Sequence, residues 1–161
     1  MKKLLATLSM ALAVLTGFAT ARTFYVDTLW SSLGLYPGQY IGVGISAGVP
    51  NMVGPVSIGG NVYFHFGTWQ SVSLGVHAEY PFLTTEAGNA FARAGLGFGY
   101  YSSSRGTDNW VTTSLSVGYE FRPDFEGNIS LISRVNVNYT LGTSRPGLGV
   151  TVGPRFYLDM E

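Results

Sequence analysis

The sequence predicts an all-β fold, an eight-stranded antiparallel up-and-down barrel. Three observations carry that prediction. Apolar and small polar residues alternate strictly with a period of two, the alternating segments are about ten residues long between turn signals, and no helix of normal length can be drawn after the N-terminal segment. Eight is the smallest number of strands in the closed barrels of this kind.

The elements follow in chain order. Met1-Lys2-Lys3 gives a positive start, Leu4 to Phe18 is uncharged and mostly apolar, and Ala19-Thr20-Ala21 has the small-x-small pattern of a peptidase cleavage site. Residues 1–21 are therefore expected to be a cleaved signal peptide, and 22–161 the barrel domain. An anchor helix needs about 20 apolar residues, and Thr7, Ser9, Thr16 and Gly17 interrupt this shorter run.

Thr23 to Trp30 supplies the first and weakest strand, with Phe24, Val26 and Trp30 in the apolar phase and Tyr25 and Asp27 opposite. The apolar phase then runs through Ile41 to Val49, Val56 to Phe66, Val72 to Tyr80, Ala92 to Tyr100, Val111 to Phe121, Ile129 to Tyr139 and Leu148 to Phe156, and no charged residue enters it. The other phase is glycine, serine, threonine and asparagine with a few charges. Turns are expected near Gly34 to Gln39, Pro50 to Gly54, Gly67 to Gln70, Phe82 to Ala90, Ser102 to Asn109, Arg122 to Gly127 and Gly142 to Pro146.

Composition decides which phase faces outward. The chain has 22 glycines among 161 residues and only 11% charged residues, against about 25% charged in ordinary soluble domains. Lys2 and Lys3 are the only lysines, so the chain from Arg22 carries seven arginines against nine acids. A soluble barrel would put the apolar phase inside and leave a lysine-free Gly/Ser/Asn surface in water, as in a lipocalin-like binder of a small apolar ligand. The reverse arrangement lets small residues fill a narrow interior. It also places aromatic residues toward strand ends, at Trp30, Tyr40, Phe66, Tyr80, Tyr100, Trp110, Tyr119, Phe121, Tyr139 and Phe156, where girdles flank an apolar band in a membrane barrel. Strands of about ten residues have the length that crosses a bilayer when tilted, and only a closed sheet leaves no unpaired amide in lipid. The expectation is a transmembrane β-barrel with interface aromatics Trp30, Tyr40, Tyr80, Tyr100, Trp110, Tyr119, Tyr139 and Phe156.

With its export signal, eight dyad-repeat strands and small polar interior, the chain resembles the small eight-stranded outer-membrane barrel proteins, the OmpA and OmpX-like class. The resemblance is architectural and covers the whole of 22–161. It implies location in a bacterial outer membrane, outer-membrane lipid as surroundings, the barrel-assembly machinery as the partner for insertion, and a charged, largely closed interior. Two departures stand out. Members of the class usually end on an aromatic residue, whereas here Phe156 and Tyr157 are followed by Leu158-Asp159-Met160-Glu161, and all the predicted turns are short.

Six charges share the polar phase: Asp27, Glu79, Arg93, Glu120, Arg134 and Arg155. Three acids balance three arginines, which predicts an ion-pair network filling the interior, because buried charges are tolerated only when paired. A turn centred on Glu86 places Glu79 opposite Arg93. Pairing Tyr101 with Trp110 sets Phe91 opposite Glu120, and a turn centred between Ser144 and Arg145 sets Arg134 opposite Arg155, with Asp27 on the neighbouring first strand.

Other chemistry finds little support. His65 and His77 are the only histidines, and Ser57, Ser71, Ser73, Ser114, Ser116 and Ser130 are dispersed without a nucleophile motif, so no catalytic, cofactor or metal site is expected. There is no cysteine for a disulfide, a thiolate or a lipid anchor. The arginines are scattered singly, so no nucleic-acid partner is expected. Gly42-Val-Gly44-Ile-Ser-Ala47 fits a dinucleotide fingerprint but lies inside a strand with no helix after it. Asn128-Ile-Ser130 and Asn138-Tyr-Thr140 fit glycosylation acceptors inside predicted strands. Gly95-Leu-Gly97-Phe-Gly99 lines one strand face. The role implied is structural or surface interaction, with no external partner named by any residue; the alternatives are a soluble periplasmic lipocalin-like barrel binding a small apolar ligand and, less favoured, a lipid A-modifying enzyme, an activity that some barrels of the resembled class carry.

Overall fold

A computed structural model describes residues 23–36, 40–66, 70–103, 106–123, 128–141 and 146–159. The predicted signal peptide, 1–21, lies outside the described residues. The strands are β1 (Thr23–Tyr36), β2 (Tyr40–Val53), β3 (Val56–Phe66), β4 (Gln70–Thr85), β5 (Gly88–Ser103), β6 (Gly106–Phe121), β7 (Ile129–Thr140) and β8 (Gly147–Asp159). Each pairs antiparallel with its neighbours in sequence, and β1 closes on β8 from Thr23↔Asp159 through Asp27↔Arg155 to Tyr36↔Leu148, giving a closed barrel. Closure satisfies the ladder amides all the way round, which no open sheet can do.

The strands run further than turn-residue composition suggests. β4 and β5 pair from Gln70↔Ser102 to Thr85↔Gly88, so the turn expected over Phe82 to Ala90 shrinks to Glu86-Ala87. β5 and β6 likewise pair as far as Ser103↔Gly106. Glycine, serine and asparagine are poor strand formers by propensity, but the ladder is a backbone structure and a neighbouring strand overrides that preference. Two residues at the β2–β3 and β4–β5 turns need backbone freedom. Gly54 has φ 60°, and at Gly88, φ 149°, an added Cβ would run into the Glu120 carbonyl.

Two predicted registers are corrected. Phe91 lies opposite Gly118, with Glu120 opposite Asn89, a slip of two residues. Arg134 lies opposite Thr151, and Arg155 opposite Ser130. Both slips are even, so every side chain keeps its face, and alternation alone cannot distinguish such registers.

The faces are sorted with apolar side chains outside. Leu115 is 67% exposed and Asp27 0%. Ile45, Leu74, Val76, Leu96, Val117, Val135 and Val137 stand exposed beside Leu115, while Ser46, Ser116, Ser130, Thr151 and the charged residues are buried. An apolar-cored soluble barrel is thereby contradicted.

Candidate functional site: the charged barrel interior

The barrel has two ends, one holding Thr23, Asp159 and the turns at Gly54-Pro55 and Glu86-Ala87, the other reached by the far ends of β1, β3, β5 and β7. Near the terminus-bearing end, five of the six predicted charges meet. Asp27 and Arg155 face each other across the β1–β8 seam, and Glu79 faces Arg93 across β4–β5. Arg155 donates through Nε to Asp27 Oδ1 (2.6 Å), through Nη1 to Glu79 Oε1 (2.8 Å) and through Nη2 to Glu79 Oε2 (3.0 Å). Arg93 donates through Nε and Nη2 to Glu79 Oε2 (2.9 and 2.5 Å) and through Nη2 to Asp27 Oδ2 (3.1 Å). Each carboxylate is thus shared by two guanidiniums, an arrangement that offsets the desolvation of all four groups.

Glu120 sits nearer the barrel end. It accepts from Ser130 Oγ (2.7 Å), Tyr157 OH (2.7 Å) and Arg122 Nε (3.2 Å), and lies 3.5 Å from Arg155 Nη1. Arg122, in the β6–β7 connection, is half exposed and links the cluster to solvent. Its guanidinium stands 5.3 Å from the Tyr157 ring.

Aromatic rings complete the seal. The Arg155 guanidinium lies 4.2 Å from the Tyr25 ring centre and 5.7 Å from that of Phe91, and Arg93 lies 6.0 Å from Phe91, cation–π contacts that gain strength out of water. Tyr25 and Phe91 are each 1% exposed. The Tyr25 hydroxyl reaches His77 Nε2 at 2.8 Å. Room for these rings comes from glycine. Tyr25 pairs with Gly48, Phe91 with Gly118, Tyr63 with Gly44, His77 with Gly59 and Trp110 with Gly99, and in each case the ring occupies the space a Cβ would take. A ring lying on a glycine takes the space that a side chain on the facing strand would otherwise fill.

Arg134 stands apart from the other five. It is 5% exposed at mid-barrel, reaches across to the Tyr63 hydroxyl on the opposite wall, and has no carboxylate at ion-pair distance among the described residues. Trp110, expected among the interface aromatics, instead lies over Gly99 on the interior face, because it falls in the polar phase of β6. Tyr80, Tyr100 and Tyr139 project outward and are exposed, with Tyr119 and Phe156 partly covered on the same surface. The side chains of Trp30 and Tyr40 lie outside the described residues.

The histidines take separate places, His77 on Tyr25 and His65 Nδ1 on Ser71 Oγ (3.1 Å). Among the described residues no group of three or more His, Asp or Glu could hold a metal ion. Sequence reasoning missed Tyr25, Phe91, Tyr63, Ser130 and Tyr157 as members of the interior network. For the four rings the available signal was a large residue in an otherwise small-residue phase. Its meaning needed the register that puts glycine opposite.

No protein-family model and no curated protein sequence matches the chain. Among solved structures, the N-terminal β-barrel domain of Pseudomonas aeruginosa OprF superposes with a TM-score of 0.68 at 13% identity, covering 86% of this chain and 98% of that one. Neisserial surface protein A (NspA) superposes with a TM-score of 0.60 at 12% identity, covering 86% and 96% respectively. The likeness is one of fold, and it places the architecture with the small eight-stranded barrels of the OmpA and OmpX-like class.

Proposed function

We propose that the chain is a bacterial outer-membrane β-barrel with a structural or surface-interaction role, its interior closed by the ion network. The observation that carries this reading is the outward apolar band. Leu115 at 67% and Val117 at 59% stand beside Leu74, Val76, Leu96 and Val135, with Tyr80, Phe82 and Phe121 toward one edge and Phe66, Tyr100 and Tyr139 toward the other. A contiguous apolar surface of that kind marks a lipid-facing surface, and rings at both edges suit the two interfaces of a bilayer. Export by residues 1–21, outer-membrane lipid as surroundings and insertion by the barrel-assembly machinery belong to the same proposal. The ion pairs and rings packed inside near the terminus-bearing end support a non-conducting role, because an eight-stranded barrel is just wide enough for side chains to fill.

A tryptophan placed at Leu115 tests the membrane assignment. In proteoliposomes it should be quenched by quenchers attached deep in the acyl chains, and a fluorescence unaffected by them overturns the reading. Planar bilayers test the closed interior, where the wild type should give little steady conductance; large ohmic steps are the contrary result.

A further inference from the structure

Every neighbouring pair of strands is joined by the chain except one. β1 and β8 bring the two ends of the described chain together, so no turn fixes their register, whereas Val53↔Val56 and Thr85↔Gly88 are each pinned by a turn of two residues. β1 is also irregular against both neighbours, its pairing shifting between Asp27 and Ser31 and between Gly34 and Tyr36 toward β8, and between Leu29 and Ser32 toward β2. A slip of two residues at this seam would keep every side chain on its face. The outer row would stay apolar, with Val26 opposite Leu158 or Pro154 in place of Phe156. Such a slip would alter the stagger with which the sheet closes, and with it strand tilt and barrel width.

The charges do not survive that slip. Asp27 lies directly opposite Arg155, which donates through Nε to Oδ1 at 2.6 Å and through Nη2 to Oδ2 at 3.2 Å, and neither side chain is more than 2% exposed. A slip would set Asp27 opposite Gly153 or Tyr157, about 7 Å along the strand from its partner, and leave both charges buried without that contact. The same two residues reach across the barrel. The β4–β5 pair lies half-way round from the seam, and there Glu79 accepts from Arg155 at 2.8 and 3.0 Å while Arg93 donates to Asp27 at 3.1 Å. Gly153, where an added Cβ would strike the Thr28 carbonyl, permits the observed register, and the ion pair attracts it.

We infer that the Asp27–Arg155 pair is a closure latch, which selects the register in which β1 meets β8 and so sets the stagger of the whole barrel, with Glu79 and Arg93 tying the seam to the wall that faces it. The latch rests on the closed ion network proposed above, which quenching and conductance judge in the wild type, so the two can fail separately.

The chain has no cysteine, so introduced disulfides can report the register of the full chain folded in detergent micelles. Thr23 faces Asp159 in the observed register, and after a slip of two it would face position 161 or 157. Directly opposed positions lie within disulfide reach and diagonal ones beyond it. T23C/D159C should therefore cross-link with the native charges, and T23C/E161C and T23C/Y157C poorly. Adding D27N or R155M should raise one of the two slipped cross-links about tenfold or more, since the buried pair no longer discriminates. E79Q, which damages the cluster but leaves the seam pair, should keep the native pattern. Slipped yields that do not rise with D27N or R155M, or that rise equally with E79Q, overturn the proposal. If neither seam variant folds, T23C/E161C and T23C/Y157C with native charges are refolded in about 1 M salt, where the screening length drops to about 3 Å. More slipped product than at low salt supports the latch, and an unchanged yield refutes it.

Discussion

The two halves of the barrel interior use arginine in opposite ways. Near the terminus-bearing end, Arg93 and Arg155 are locked between Asp27 and Glu79 and capped by the rings of Tyr25 and Phe91. At mid-barrel, Arg134 meets the Tyr63 hydroxyl and has no carboxylate at ion-pair distance among the described residues. Both halves grow from the same alternating pattern. The difference is whether carboxylates arrive at the level of the guanidinium, since rings stand over glycines in both halves, Tyr25 and Phe91 in one and Tyr63 and Trp110 in the other.

The largest expected effect breaks the ion cluster. Arg155→Met removes the partner shared by Asp27 and Glu79 and exposes Glu120 to fewer cations, so it should destabilise the barrel by at least the ~3–5 kcal/mol typical of breaking a buried pair from one side. Urea unfolding in lipid vesicles measures this. Arg134→Met under the same conditions should be near neutral or stabilising, since it deletes a buried charge with no carboxylate at ion-pair distance among the described residues. Equal losses from the two substitutions would erase the distinction between the halves.

Next comes the double-mutant cycle on Glu79 and Arg93. Each of Glu79→Gln and Arg93→Met should cost about 3–5 kcal/mol, because each leaves a charge buried with fewer partners. The double variant should cost clearly less than the sum. A coupling energy near zero would mean that the 2.5 Å contact contributes nothing in the membrane.

The outer surface gives the third comparison. Leu115→Arg, at the most exposed of the band positions, should cost about 2–4 kcal/mol if it sits at the bilayer midplane. The same substitution at Tyr139, toward the strand end, should fall to about 0–1 kcal/mol in its charge-dependent part, since that penalty fades toward the interface. Similar values at both positions would remove the depth dependence that lipid imposes.

How much of this was legible follows from what a period of two can encode. Faces were readable: Asp27, Glu79, Arg93, Glu120 and Arg155 all lie inside because each falls in the polar phase. The Glu79–Arg93 register was readable because a short turn around Glu86 leaves few choices. The pairing of β7 with β8 was not, because Gly142, Ser144 and Pro146 offer several places for the turn and an even slip costs no face exchange. That slip decides who is orphaned. Placing Arg134 opposite Arg155 suggested one balanced network of six, whereas the observed Ser130↔Arg155 pairing carries Arg155 into the cluster and leaves Arg134 behind. Trp110 was misplaced for a different reason: its size suggested an interface ring, but its position in the alternation, opposite Gly99, outweighs its residue type.

Glycine substitutions give the finest test, with the smallest effects. At Gly118 an added Cβ would collide with the Phe91 ring and the Ser133 carbonyl, both at 2.6 Å. Backbone cannot yield as a flexible side-chain tip can, so Gly118→Ala should cost about 1–3 kcal/mol, the usual range for overpacking. At Gly97, further along β5 on the interior face, the nearest atom is the Leu74 carbonyl oxygen at 3.4 Å, ordinary contact distance. There the substitution meets no obstacle and reduces the freedom of the unfolded chain, so Gly97→Ala should stabilise by about 0.5 kcal/mol. The two glycines occupy interior positions on neighbouring strands of the same sheet, and opposite signs would follow from what each added Cβ meets, a ring and a carbonyl at Gly118 and ordinary contact at Gly97. A destabilisation at Gly97 as large as that at Gly118 would show that the wall at Gly97 is as tightly filled as the one under the Phe91 ring.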